Sequence, residues 1–259
     1  MRAKFGFIEP KTHKNIQKHY VSNTGLVTAT DKEGTATITA TIAGTPLVAS
    51  TEVTVSSKPV QEYVDLDLPS RTLWATCNIG AENPWEYGDY FAWGETKGYN
   101  SSKTTFDWST YTLCNGSNST MKKYCTRSYY GTVDNKTELD SEDDAAVNSG
   151  IEWRMPTYDQ LQELLNSRYT TTKWITLNGV RGRKISKNDD SSVYIFLPAA
   201  GYRDGSSLYD AVSGGYYWSR SLNTDYSYSA YCLDFISSNI YTATRLRYYG
   251  FSVRPVRAK

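Results

Sequence analysis

The last quarter of the chain lacks four of the residue types from which helices are most readily built. From Asn188 to Ala258 there is no Lys, Glu, Gln or Met, although residues 1–187 hold 32 of them, a rate that would place about a dozen in this stretch. All four are good helix formers. Strands disfavour Lys and Glu only mildly, so strand propensity does not explain a complete absence. Tyr, Ser, Gly and Asp fill the segment instead, and eleven of the 22 tyrosines fall between residues 194 and 249. The segment therefore reads as short strands and long loops. Its composition is that of antibody-like paratopes, where Tyr gives a large amphipathic contact area at small entropic cost and Ser and Gly adapt around it.

The run Tyr231-Cys232-Leu233-Asp234-Phe235-Ile236 alternates. Tyr231, Leu233 and Phe235 suit a buried face, so Cys232, Asp234 and Ile236 are expected to point outwards. A thiol, an acid and an aliphatic make an unusual solvated face, which is ordinarily richer in Lys and Glu. Thr242-Ala243-Thr244-Arg245-Leu246 reads as a loop of the same mixed character.

The 259 residues suffice for one large domain and a small appendage. In residues 34–42 and 51–55 threonines alternate with small apolar residues, which predicts β-strands with one buried face. Residues 24–29 and 34–40 resemble the second half of a bacterial group 2 immunoglobulin-like domain. The resemblance implies a partial all-β spacer over residues 1–57, its first half not recognisable. Residues 58–62, around Pro59, read as a linker, and the main domain as residues 63–259.

Two short helix starts are legible in that domain. Ser141-Glu142-Asp143-Asp144 fits a capping box with Asp144 at the third helical position. Thr157-Tyr158-Asp159-Gln160 fits another, followed by Leu161, Leu164 and Leu165 at core-facing spacing. Two small helices among many short strands give an α+β domain.

Several function classes drop out. A net charge of +1 and a pI near 7.6 make no case for nucleic acid or an anionic membrane. Apolar runs are too short to span a bilayer, and the first ten residues lack the apolar stretch of a signal peptide. The only histidines are His13 and His19, so the main domain lacks the commonest general base and metal ligand. Cys77, Cys114, Cys125 and Cys232 form no Cys-x-x-Cys pair. Free, partly buried thiols are the plainer reading, with a Cys114–Cys125 disulfide the foremost of the alternatives. Glu142-Asp143-Asp144 and Asp189-Asp190 have calcium-friendly oxygens but no EF-hand spacing, and read as capping and loop charge. No metal or other cofactor is expected.

A set of motifs runs in order through residues 63–257: Thr72-Leu73-Trp74-Ala75-Thr76-Cys77-Asn78, Tyr87-Gly88-Asp89-Tyr90-Phe91-Ala92-Trp93-Gly94-Glu95, Trp153-Arg154-Met155-Pro156-Thr157, Leu197-Pro198-Ala199-Ala200-Gly201-Tyr202-Arg203, Tyr217-Trp218-Ser219 and Ser252-Val253-Arg254-Pro255-Val256. Together they resemble the "major paralogous domain" family of Bacteroidetes surface proteins. The resemblance implies a C-type-lectin-like fold in the branch of the formylglycine-generating enzymes. The oxidase chemistry of that branch needs paired cysteines, and Cys232 stands alone in the C-terminal region, so an enzyme is not expected.

Some members of the family resemble targets of diversity-generating retroelements, in which template adenines are randomised during copying into the 3′ end of the gene. Asn codons treated so yield Tyr, Ser, Asp, Thr, Ile, Ala, Cys, Arg or Leu but never Lys, Glu, Gln, Met or Trp; the census above agrees for the first four, and Trp218 sits at a position the resemblance implies is fixed. The diversified, solvent-facing positions implied are Tyr209, Asp210, Tyr216, Arg220, Asp225, Tyr226, Tyr228, Ser229, Cys232, Asp234, Ile236, Tyr241, Ala243, Thr244, Arg245, Leu246 and Tyr249, in a variable region of about 209–250. Tyr217, Trp218, Tyr231, Leu233, Phe235, Tyr248, Phe251 and Val253 are the scaffold. The expected protein is a non-catalytic binder of a bacterial surface protein or glycan, carried on a phage tail tip. A bacterial adhesin or pilus-tip module is the alternative, and an enzyme of unknown type a second one. A homo-oligomer is compatible with either carrier, a trimer with a tail protein.

Overall fold

The computed structural model describes the backbone of residues 20–21, 27–28, 34–41 and 48–55, and residues 62–259 except Ile151 and the Ser149 side chain. Residues 58–61 of the expected linker at 58–62, residues 1–19 of the spacer and both histidines lie outside the described residues. The chain divides into two compact units, Met1–Val60 and Gln61–Lys259.

In the first unit, β1 (Tyr20–Val21) pairs with β2 (Val27–Thr28), and β3 (Gly34–Thr41) pairs antiparallel with β4 (Val48–Val55). The alternating runs thus form a hairpin with Gly34 opposite Val55 and Thr41 opposite Val48.

The second unit is rich in β-structure, with one short α-helix. Strands β5 (Tyr63–Asp65) and β6 (Thr72–Ala75) form a sheet with the last strand of the chain, β15 (Val256–Ala258), so both ends of the unit are stitched together. Strands β7 (Thr170–Leu177), β8 (Val180–Lys187) and β9 (Tyr194–Pro198) form a meander. Its first turn is Asn178-Gly179, both at positive φ, as a two-residue hairpin requires. A small hairpin of β10 (Tyr202–Asp204) and β11 (Ser207–Tyr209) follows. A second meander completes the set, with β13 (Ser229–Ile236) between β12 (Gly214–Leu222) and β14 (Ile240–Leu246). Residues 242–246, expected as a loop, are therefore part of a strand.

The helix α1 (Tyr158–Leu164) starts where the capping box places it. Thr157 accepts from the Gln160 N–H, and Gln160 reaches back to the Thr157 N–H. Leu161 and Leu164 are buried, and Leu165 packs against the same core. The other expected start differs. Asp144 caps a 3-10 turn, Ala145–Ser149, from the position before it rather than from its third residue. The buried Asp144 carboxylate accepts the N–H groups of both Ala146 and Met155, which makes it the cap and starts the turn three residues later than the sequence spacing implied.

Two fully buried arginines hold the long connections to this frame. Arg254 donates to the carbonyls of Ala75, Thr76 and Phe196 and to Asn78 Oδ1, at 2.8–3.1 Å. Arg247 donates to Tyr111 Oη (2.7 Å) and to the carbonyls of Lys123 (3.1 Å), Tyr124 (3.1 Å) and Ser227 (2.8 Å). Its guanidinium also lies 4.7 Å from the Trp93 ring centroid. An ammonium could not span these acceptors. Arg247→Met is expected to cost about 3 kcal/mol by leaving buried carbonyls unpaired, and Arg247→Lys most of that, measured by denaturant unfolding.

Candidate ligand-binding surface

The register of the second meander brings much of the expected surface together. Tyr216, Asp234 and Tyr241 lie abreast, as do Trp218, Cys232 and Ala243, while Gly214 faces Ile236 and Ala230 faces Arg245. Directly opposed residues share a face. Tyr216, Cys232, Asp234, Ile236, Tyr241, Ala243 and Arg245 therefore stand on one side of the sheet. Tyr217, Tyr231, Leu233 and Phe235 stand on the other, with Ser229, Thr244 and Leu246.

That side is not simply a surface. Cys232 is 0 % and Asp234 2 % exposed, and Ser229 is buried too, which corrects the expectation that all three face solvent. The cause is that β13 is a central strand covered on both faces. Trp218, Ala230, Cys232 and Phe251 pack in one core cluster, and Tyr217, Leu233 and Phe235 in another. Alternation separates two faces but does not say that one is wet. Tyr231, assigned to the buried set, is only half-buried and lies against the Tyr158 ring, 4.2 Å between centroids.

The buried carboxylate is paired. Arg245 Nε donates to Asp234 Oδ2 at 2.8 Å, and the Cys232 thiol donates to Oδ1 at 3.2 Å. Burial raises the Asp234 carboxyl pKa, and Arg245 opposes the rise. Burial, and then the neighbouring carboxylate, push the Cys232 thiol well above its ordinary value, so it is an inert thiol.

The accessible part of the surface is built around Tyr202, which belongs to the Leu197–Arg203 motif and was not among the expected binding residues. Its ring stacks on Tyr209 (5.6 Å) and meets Tyr216 (4.9 Å) and Tyr249 (5.5 Å) edge-on, and Tyr249 continues to Tyr248 (4.6 Å). Tyr216 Oη donates to the Asp210 carboxylate at 2.6 Å. Gly201, at φ +67°, lets this hairpin fold back, since a Cβ there would lie 2.0 Å from the Tyr209 carbonyl oxygen. Tyr209, Asp210, Ile236 and Tyr241 are exposed and Tyr216, Ala243, Arg245 and Tyr249 half-buried, while the exposed Thr244 and the half-buried Leu246 stand on the opposite face of the sheet.

The remaining candidates fall elsewhere. Arg220 pairs with Glu138 (3.0 Å) beside an open recess of about 240 Å³ floored by Tyr158 and Tyr231. Asp225, Tyr226 and Tyr228 meet the 126–131 loop, where Arg127, Tyr129 and Tyr130 were not anticipated. The signal available for these three was the Tyr-Tyr pair before Gly131.

Asp140, Glu142 and Asp143 form the one cluster of metal-ligating type among the described residues. The Lys123 ammonium touches all three, at 2.8, 2.8 and 2.5 Å. A side-chain cation thus stands beside Glu142 and Asp143, two of the acids with calcium-friendly oxygens, and the third, Asp144, caps the 3-10 turn. The four cysteines are free and buried.

The comparisons with known proteins add one match. A family model described as a domain of unknown function (DUF8237) matches residues 166–256, which include both meanders and the Tyr202 hairpin. No curated protein and no solved structure matches the chain.

Two outcomes follow from this geometry. Cys232→Tyr is expected to cost about 1–3 kcal/mol by overpacking, whereas Tyr241→Ala should stay within about 0.5 kcal/mol, both read by urea unfolding. Lys123, then Lys136, hold the Asp140 carboxyl down to about 2. A depressed carboxyl contributes stability above its unfolded pKa that is lost as pH falls through the folded one. The melting temperature should therefore drop as pH falls from 3.8 toward about 2, and Lys123→Met should flatten that slope.

Proposed function

We propose that this chain is a non-catalytic recognition protein that displays a tyrosine-rich, sequence-variable rim on a C-type-lectin-like domain. The observation that carries this reading is the division of the tyrosine-rich segment into a packed interior and an accessible rim. Trp218, Leu233, Phe235 and Phe251 are buried, while Tyr209, Asp210, Asp225, Tyr226, Ile236, Tyr241 and Thr244 are exposed on the same strands and their turns. Such a rim changes identity at small cost in stability, which a diversified binding surface requires. Tyrosines that are half-packed and half-wet are also suited to hot spots.

The ordered motifs of residues 63–257 support the lectin-like fold, and so does the pairing of the domain's first strands with its last. No described helix is long and apolar enough to cross a membrane. The ligand is a bacterial surface protein or glycan, and the carrier a virion tail or a cell surface. Phage structural genes beside this one would fix the carrier as a tail.

Deep sequencing of the 3′ end of the gene across a source population tests the reading. Changes should concentrate at the exposed positions, without Lys, Glu, Gln, Met or Trp among them, and spare Ser229, Cys232 and Asp234. Changes scattered evenly, or no changes, would overturn diversification. Independently, Tyr209→Ala with Tyr241→Ala should lower binding to host cells at least tenfold without moving the melting temperature.

A further inference from the structure

We infer that the recess between residues 126–131 and 224–228 is a carbohydrate subsite, one wall supplied by a loop outside the variable region. The inference rests on the recognition reading above and narrows its ligand at this place to a sugar ring. The recess is open, about 350 Å³ in volume, and lined by Arg127, Tyr129, Tyr130, Asp225 and Tyr226.

Its walls are fastened together. Thr126 Oγ1 donates to the Thr224 carbonyl at 2.6 Å, and the Thr126 N–H to Ser227 Oγ at 3.1 Å. Beneath them Arg247 Nη1 bridges the carbonyls of Tyr124 and Ser227. The recess is therefore a built shape rather than a chance gap between loops.

Four tyrosine rings run in a chain along it, with centroid separations of 5.2 Å for Tyr129–Tyr130, 5.1 Å for Tyr130–Tyr228 and 5.8 Å for Tyr228–Tyr226. Tyr129 is 81 % and Tyr226 51 % exposed, so an aromatic ring stands in water at each end of the chain. Exposed rings gathered in this way mark a contact surface.

The chemistry of the lining selects the occupant. It contains phenols, one guanidinium and one carboxylate, and no aliphatic side chain. An apolar protein anchor is held in a desolvated pocket, which this recess is not. A pyranose has weakly apolar C–H faces that suit the negative face of a tyrosine ring. Its edge carries hydroxyls that both donate and accept. Arg127 and Asp225 supply a donor and an acceptor side by side, their ion pair at 2.5 Å with both side chains more than half exposed. Such a pair stabilises the fold little, so ligand hydroxyls can exchange into it at small cost. Charge-assisted bonds of this kind are the stronger ones.

The test is saturation-transfer NMR on the full chain with a panel of methyl pyranosides and with polysaccharide purified from bacterial envelopes. Transfer to ring C–H protons is expected, reduced at least fivefold by Tyr129→Ala and by Tyr226→Ala and weakened by Asp225→Asn. All three side chains are exposed, and unchanged melting temperatures would confirm intact folding. Arg168→Ala, an exposed side chain outside the recess and outside the rim, should leave the transfer as it is. Transfer to none of the sugars, or transfer indifferent to Tyr129→Ala, would overturn the assignment. So would host binding that depends on Tyr129 but survives periodate oxidation of the cells and is lost on protease treatment, which would mean a protein ligand. Failure here leaves the sequencing test untouched. A population without diversified positions would sink the wider reading even if sugar bound.

Discussion

The guanidinium of Arg247 is sealed from water, yet among the described residues no carboxylate pairs with it. Three backbone carbonyls and one phenol satisfy it instead, while the rings of Trp93, Tyr111 and Tyr124 surround it. A buried charge is tolerable only when its donors are met. Those acceptors come from residues 111, 123–124 and 227, segments far apart in sequence and without regular secondary structure of their own. Removing one member leaves others unpaired, so the arrangement holds together or fails as a unit. The tyrosines next to Arg247 in sequence, Tyr248 and Tyr249, inherit their placement from it.

A second consequence is a separation between what is fixed and what is free to vary. The central strand of the C-terminal meander is clamped between two core clusters, so Cys232 and Asp234 answer to packing. Strand ends, turns and the β10–β11 hairpin carry side chains whose contacts are mostly ring edges and single hydrogen bonds. The Asp234–Arg245 pair lies on the border between the two. Its acid belongs to the interior and its guanidinium reaches the rim, so Arg245 is not a free position. Lys123 works similarly outside the meander, its ammonium gathering three carboxylates while its carbonyl accepts from Arg247.

Local signals in the sequence were sound where one physical rule dominated. The Thr157–Gln160 capping box starts the helix, and the Thr-rich alternation of residues 34–42 and 51–55 falls on paired strands over 34–41 and 48–55. They failed where two rules competed. Asp144 satisfies two helix-start geometries on paper, and the Met155 N–H selects one. Residues 242–246 carry the mixed composition of a loop, but hydrogen bonding to β13 makes them a strand. Tyr202 belongs to a motif and was not among the expected binding residues, and Tyr129 and Tyr130 were hidden by their distance from the tyrosine-rich segment.

The sequence by itself determined that the C-terminal quarter would be β-structure and loop bearing an unusual density of tyrosine, because helix formers are missing from it. It also determined, through period-two alternation, which side chains of β13 share a face. It could not determine that this face would be covered, because coverage depends on Trp218, Phe251 and loops that reach the strand only after folding. Nor could it join Tyr129 to Tyr226 or Arg127 to Asp225. About a hundred residues separate those partners, and the buried Arg247 and the Thr126 hydrogen bonds bring them together.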